Sequence, residues 1–179
     1  TSDTMGHMSL HMREYLAKAV VLEAVRLAHT QGRACIVFAF SDASDLAELR
    51  LVPSRKRASK AGVMDRHSLT RLLDFIGCSF GGETQVNDPV TRAIDFLDKP
   101  DKDGAIYRGA DMLVVSDGEL PDPPLDNATM AKLKLLKEVQ GFQVHGLLVS
   151  EPRPWFTLDK FCDEVHTCLS QFDPFVVFR

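Results

Sequence analysis

Residues 110–120, ADMLVVSDGEL, decide the fold that the sequence predicts. Residues 112–115 form a continuous apolar run, typical of a strand covered on both faces in a parallel sheet packed between helices. The run ends at Ser116, Asp117 and Gly118, and the glycine permits a tight reversal of the chain. Because open α/β sheets bind ligands outside the carboxyl ends of their strands, Asp117 is the best single candidate for a functional residue. The alternative is an aspartate that only caps a turn between strand and loop.

Helices and strands alternate along the rest of the chain. In order, we predict a helix at 13–30, strands at 34–40 and 47–52, helices at 68–76 and 88–97, the strand at 112–115, a helix from Asp126 or Asn127 to Val139, a strand at 144–149, a helical turn at 155–161, and strands at 164–168 and 175–178. This order favours an α/β fold with a Rossmann-like, mostly parallel sheet, helices on both faces and one antiparallel edge strand at 47–52.

Apolar spacing predicts which side chains face the core. In the edge strand, Glu48 and Arg50 alternate with Leu49 and Leu51, so one face is wet. The strand at 34–40 is expected to be buried. The helices are expected to bury Leu69, Leu72, Leu73 and Ile76, then Val90, Ile94 and Leu97, then Met130, Leu133, Leu135 and Leu136. Asp88 followed by Pro89 is predicted to cap the helix that they begin.

Composition indicates one domain over residues 1–179 with a core of ordinary size. The formal net charge of −4 argues against generic binding to nucleic acid or an anionic membrane. No stretch approaches the ~20 apolar residues of a membrane span. The four cysteines, Cys35, Cys78, Cys162 and Cys168, include no CxxC pair. We therefore expect a reducing compartment, the cytoplasm or an organelle, with no disulfide framework and no zinc site.

Two features have both a functional and a structural interpretation. Residues 54–62, SRKRASKAG, could contact phosphate or nucleic acid, but the acidic balance of the chain favours a solvated loop beside an edge strand. His145, at the start of a strand, is more often a packed or edge residue than a ligand.

Four short motifs occur in a fixed order along the chain. They are LAKAV at 16–20, a strand ending in Phe40 and Ser41, GGETQ at 81–85, and SDG at 116–118. Together they resemble a von Willebrand factor A domain of the CoxE-like branch, which includes the ViaA type. The resemblance spans residues 13–168.

The resemblance implies a metal-ion-dependent adhesion site at the carboxyl edge of the sheet. Such a site holds Mg²⁺ with hydroxyl and carboxylate oxygens and takes a carboxylate from a partner. By resemblance, Thr84 supplies a hydroxyl and Asp117 supplies a carboxylate. The neighbours expected to contact the partner are Gly82, Glu83, Gln85 and Glu119. Gln85 stands where the family has an aspartate, which weakens the site.

The chain departs from the family at its start, because no apolar strand precedes the first helix. The family's first strand ends in an Asp-x-Ser-x-Ser motif. In one alignment, residues 1–5 are the tail of that motif, its aspartate precedes residue 1, and Ser2 and Thr4 are metal ligands. This alignment keeps the ligand chemistry better.

In the other alignment, residues 3–8 are the motif, with Asp3 as a ligand and with Met5 and His7 in place of both serines. This alignment fits the spacing to Leu16 better. Under either alignment the metal site is incomplete or degenerate, and residues 1–12 are also compatible with a cloning tag. The first central strand is expected to be missing or truncated, with the gap filled by residues 175–178 or by a strand-swapped second chain.

Three functions follow from these features. The first is a non-enzymatic protein-interaction module, for which the resemblance implies a MoxR-type AAA+ ATPase as partner. The second is a Mg²⁺- or Mn²⁺-dependent hydrolase using Asp117, Glu119 and an N-terminal aspartate. The third is an RNA-associated protein using Arg55, Lys56 and Arg57. The sequence favours the first, because it contains no nucleophile elbow, P-loop or dinucleotide motif.

Overall fold

The computed structural model describes residues 3–40, 46–52, 64–77, 85–98, 106–107, 109–149 and 158–168, and only the backbone of residues 3–12. Within these ranges the protein is a mixed α/β structure. Its helices are α1 (Asp3–Thr30), α2 (Arg66–Gly77), α3 (Asn87–Leu97) and α4 (Asn127–Gln140), with a 3₁₀ turn at Leu158–Lys160. Its strands are β1 (Cys35–Phe40), β2 (Leu46–Leu51), β3 (Met112–Ser116), β4 (Val144–Leu148) and β5 (Glu164–Thr167).

The described strands pair as two sheets. β1 and β2 form an antiparallel pair, and β3, β4 and β5 form a parallel sheet in that order. The α/β class, the parallel pairing around β3 and the antiparallel direction of β2 are therefore confirmed. The basic segment 54–62 and the strand expected at 175–178 lie outside the described residues.

The chain divides into two compact units. Residues 20–108 form the β1–β2 unit, and residues 1–19 together with 109–179 form the β3–β5 unit. The expectation of a single domain over 1–179 stays a prediction.

The core of the β1–β2 unit is built on β2 and α2. Leu49, Leu51 and Leu72 are buried there with Val25 of α1. On the other face of β2, Arg50 is exposed as the alternation predicts, but the Glu48 side chain, also predicted to be wet, is only 15% exposed because Arg50 and Arg92 cover it. The strand β1 is half-buried along its whole length, so the expectation of a fully buried strand is wrong.

Helix α2 buries a narrower stripe than the sequence predicts. Leu72 is 2% exposed, and Phe75 and Ile76 pack against the same cluster. Leu69 and Leu73 were expected in the core but are 43% and 52% exposed. With about 3.6 residues per turn, Leu73 lies more than a quarter-turn from Leu72, beyond the stripe that meets the core.

The ends of α1 and α3 differ from expectation. Helix α1 begins at Asp3, ten residues before the predicted start at residue 13. Helix α3 begins at Asn87 with Val86 as N-cap, so the prediction of Asp88 as the cap is wrong. Asp88 lies instead in the first turn, where a negative charge suits the positive end of the helix dipole.

Apolar burial in α3 follows the prediction in part. Val90 and Ile94 are each 3% exposed, as expected. Leu97 is only half-buried, and Phe96 is buried instead.

Helix α4 has the caps that its sequence predicts. The Thr129 N–H donates to the Asp126 carboxylate over 2.7 Å, and Gly141 ends the helix with a φ of 67°. Leu133 and Leu136 are buried, but Leu135, also predicted inward, is 61% exposed. Leu135 points away because it lies about 100° around the helix from Leu136 and about 200° from Leu133.

The parallel sheet has one covered and one partly open face. Val114, Val144 and Leu148 line the covered face, where a Cβ on Gly146 would come within 3.1 Å of Cys162 Sγ. On the other face Leu113 is 42% exposed, so the prediction that β3 is covered on both faces is wrong.

Candidate functional site at the carboxyl edge of the parallel sheet

The chain turns sharply where β3 ends. The Gly118 N–H donates to Ser116 Oγ over 3.0 Å, and the Glu119 N–H donates to Asp117 Oδ1 over 3.2 Å. Gly118 is buried with a φ of 89°, a conformation that side chains other than glycine rarely adopt. The Asp117 carboxylate therefore does help to form the turn, which is the structural role considered for it.

The carboxyl ends of the three parallel strands lie at one edge. The Val149 N–H donates to the Ser116 carbonyl over 2.9 Å, and the Cys168 N–H donates to the Leu148 carbonyl over 2.7 Å. Asp117 follows β3 at this edge, and Thr167, exposed at the end of β5, brings a hydroxyl group to the same edge. We call this set of strand ends, with Asp117 and Glu119, the carboxyl edge.

At the opposite edge of the sheet, a set of hydrogen bonds centred on Asp163, the Asp163 clamp, joins the start of β4 to α4. Asp163 Oδ2 accepts the Val144 N–H over 2.7 Å, and Asp163 Oδ1 accepts Lys137 Nζ over 2.8 Å. Lys137 Nζ also donates to the Phe161 carbonyl over 2.8 Å. Although burial opposes its ionisation, the bonds from Lys137 and Val144 hold the pKa of Asp163 below its usual value. The Asp163 clamp therefore connects the start of β4 both to α4 and to the turn before β5.

A second cluster of polar side chains lies on the partly open face of the parallel sheet. Glu164 Oε2 is 3.9 Å from His145 Nδ1 and 3.5 Å from His166 Nε2. His145 pairs with Glu164 across the strands, which brings their side chains to one face. Sequence reasoning missed this group and the Asp163 clamp. The alternation of Glu164 and His166 was a visible signal for the first, whereas nothing local marks Lys137 and Asp163 as partners.

The structure describes only some of the predicted site residues. Asp117 and Glu119 lie together in the turn after β3, and Gln85 is half-buried directly before the N-cap of α3. Asp3 and Thr4 form part of the first turn of α1, where only the backbone is described. Ser2, Gly82, Glu83 and Thr84 lie outside the described residues. The convergence of Thr84 with Asp117 therefore stays a prediction.

The ligand chemistry at the carboxyl edge suits a hard cation. Carboxylates of Asp117 and Glu119 and hydroxyls such as that of Thr167 are oxygen donors of the kind that Mg²⁺ prefers. Within the described ranges, no three His, Cys, Asp or Glu side chains are grouped so that they could hold a metal ion. A complete Mg²⁺ site would need the hydroxyl and carboxylate groups that the resemblance assigns to residues 2–4 and 84.

Three cysteines have thiols that resist ionisation. Burial raises the pKa of Cys162 to about 12, and it also raises the pKa values of Cys35 and Cys168. All three are free thiols, and Cys78 lies outside the described residues. At neutral pH these thiols are protonated, which disfavours them as nucleophiles.

Comparisons of the chain with protein-family models, with curated proteins and with solved structures give no significant match. In the described part of the chain, no helix combines the length and apolar character needed to span a membrane.

Proposed function

We propose that the chain is a non-enzymatic protein-interaction module of the von Willebrand factor A type, of the CoxE-like or ViaA-like branch. In this proposal the fold is Rossmann-like, and the partner binds at the carboxyl edge through Asp117 and Glu119. By the family resemblance, Gly82, Glu83, Thr84 and Gln85 also contribute to partner binding. The module works in the cytoplasm.

One observation carries this proposal: an aspartate directly follows a parallel strand in a turn fixed by Ser116 and Gly118. The turn gives Asp117 a defined position at the edge where α/β sheets bind ligands. The Asp163 clamp at the other edge supports the strands by bonding the start of β4 to α4 through charged groups. A rigid support of this kind suits recognition, since it lowers the ordering cost of binding.

The proposal includes a degenerate Mg²⁺ site. Asp117 and Thr84 would hold the ion, together with either Ser2 and Thr4 or Asp3. With Gln85 in place of the family's aspartate, the site would carry one negative charge fewer. Few protein charges around Mg²⁺ leave it able to attract a carboxylate from a partner.

The proposed partner is a MoxR-type AAA+ ATPase. This part rests on the family resemblance, because modules of that branch work with such ATPases. A carboxylate side chain on the ATPase surface is the group we expect at the carboxyl edge.

Calorimetric titration with Mg²⁺ and Mn²⁺, followed by binding to a purified MoxR-type ATPase, tests the proposal. We expect Asp117→Asn to weaken both by about tenfold or more, because it removes a charge from the site. Asp111→Asn is the matched control, since Asp111 is an exposed carboxylate at the opposite end of β3, where it accepts the Gln143 N–H. Thr84→Ala tests the hydroxyl assigned by resemblance.

Two results would contradict the proposal, and a third would remove only its metal site. Equal ATPase binding by the Asp117→Asn and Asp111→Asn variants would show that the carboxyl edge is not part of the interface. Absence of heat with both cations would show that neither cation binds, and the ATPase measurement alone would then test the interaction. Turnover of phosphoester or ester substrates with Mg²⁺ or Mn²⁺, lost in Asp117→Ala, would replace the module with a hydrolase.

A further inference from the structure

Helix α4 carries an apolar stripe on its outer face. Leu135 is 61% exposed and Val139 is 72% exposed, and Ala131 lies one turn before Leu135 on the same stripe. The inner face of the helix is occupied by Leu133 and Leu136, which are 2% and 5% exposed. The outer stripe therefore has no role in the core of this unit, although burying such side chains is favourable.

The stripe is complementary to a second, antiparallel copy of itself. If a two-fold axis passes beside Leu135, positions equally far before and after Leu135 lie opposite each other in the two copies. Leu135 then meets Leu135, and the small Ala131 of each copy lies opposite the larger Val139 of the other. This alternation of small and large side chains lets two helices approach closely.

Charges on one flank of the stripe fit the same arrangement. Lys134 and Glu138 are exposed on the same side of the stripe, and within the described residues neither forms an ion pair. In the antiparallel pair, Lys134 of one copy lies beside Glu138 of the other, offset by roughly 3 Å along the axis at 1.5 Å per residue. Each interface would contain this pair twice, because a two-fold axis repeats every contact.

We propose that two copies of this chain associate through an antiparallel contact between their α4 helices, with Leu135 at the two-fold axis. The contact uses Ala131, Leu135 and Val139 as its apolar centre and Lys134 with Glu138 as its flanking ion pairs. It does not involve the carboxyl edge, so it is independent of the proposed function. Because the apolar centre is small, the dimer forms and separates with protein concentration.

Sedimentation velocity across a concentration series of the full chain tests this contact. Leu135→Asp should raise the dimer dissociation constant by about tenfold or more, because it places two carboxylates together at the axis. Leu73→Asp is the matched control, since Leu73 is also an exposed leucine on a helix and should leave the dimer unchanged. Circular dichroism checks that both variants remain folded.

Exchanging the charges of Lys134 and Glu138 distinguishes the antiparallel contact from other contacts between two copies. Glu138→Lys should weaken the dimer by roughly two- to fivefold, and Lys134→Glu combined with Glu138→Lys should restore it. A chain with cysteine substituted for Leu135 should give dimers with a short bis-maleimide, whereas Leu73→Cys and the unsubstituted chain should not. A chain that stays monomeric at every concentration, or a dimer unaffected by Leu135→Asp, overturns the proposal.

Discussion

A single carboxylate, Asp163, joins three segments of the β3–β5 unit. It accepts the Val144 N–H at the start of β4 and the Lys137 ammonium group from α4, while its own N–H donates to the Val144 carbonyl over 2.7 Å. Hydrogen bonds that involve a charged group are stronger than those between neutral groups. Asp163 therefore contributes more to this unit than its exposed position at the start of β5 indicates.

We predict that Asp163→Asn lowers the free energy of unfolding by about 1–2 kcal/mol at pH 7. The folded-state pKa of Asp163 is below its usual value, so its contribution is present above the unfolded pKa, about 3.9. It is lost as the pH falls through the folded pKa. Urea unfolding of both proteins should therefore show a difference that is constant from pH 7 to about pH 4 and shrinks below.

Asp159→Asn is the control for this measurement. Asp159 is exposed in the 3₁₀ turn at Leu158–Lys160, four residues before Asp163. Its substitution should change the free energy of unfolding by less than about 0.5 kcal/mol at any of these pH values. A stability difference for Asp163→Asn that is unchanged at acid pH would rule out the charged clamp.

At the scale of elements, Glu48 connects β2 with α3. Its side chain is 15% exposed, and its carboxylate accepts Arg50 Nε and, over 2.8 Å, Arg92 Nε. The Arg50 guanidinium also lies 4.1 Å from the ring centroid of Phe96 in α3. Burial opposes ionisation of Glu48, but the two arginines outweigh it and hold its pKa below the usual value. The edge strand and the helix are thus joined by one network of charges.

A double-mutant cycle measures this connection. We predict that Glu48→Gln and Arg92→Gln are non-additive, with a coupling free energy of about 0.5–2 kcal/mol in urea unfolding. The pair Glu48→Gln and Arg71→Gln is the control, because Arg71 is exposed on α2 and should be additive within about 0.5 kcal/mol. Equal coupling in both cycles would show that the Glu48–Arg92 ion pair does not join the two elements.

At the scale of the whole molecule, the chain forms two compact units with buried side chains in each. In the β1–β2 unit the central side chain is Leu72, which packs with Val25, Leu49 and Leu51. In the β3–β5 unit Val144 and Leu158 are 0% and 1% exposed. Stability of each unit therefore depends on a few fully buried side chains rather than on all its apolar residues.

Substitutions of two adjacent leucines on α2 test whether stability depends on the fully buried side chains. We predict that Leu72→Ala lowers the free energy of unfolding by about 2–5 kcal/mol, because it leaves a cavity in the core. Leu73→Ala should change it by less than about 0.5 kcal/mol, since Leu73 is half exposed. Thermal and urea unfolding of the two variants provide the comparison. Similar losses for both would mean that Leu73 is buried in solution.

Most of the elements could be predicted from the sequence, because periodicity and capping are local properties. The antiparallel direction of β2, the cap at Asp126 and the end of α4 at Gly141 are confirmed. At the candidate site, the sequence predicted a turn at Gly118 and a position for Asp117 at the end of β3, and both are confirmed. The Asp163 clamp could not be predicted, since its partners are distant in sequence.

The sequence by itself determined the α/β class, the parallel direction of the sheet around β3 and the tight turn that positions Asp117. It determined these because each depends on neighbouring residues, through the spacing of apolar side chains and the backbone freedom of glycine. Only the tertiary structure decided which apolar side chains are buried: it selected Leu72 over Leu73 and Leu136 over Leu135. A helix with an apolar stripe wider than its contact must leave some of those side chains in water, and the packing partner decides which.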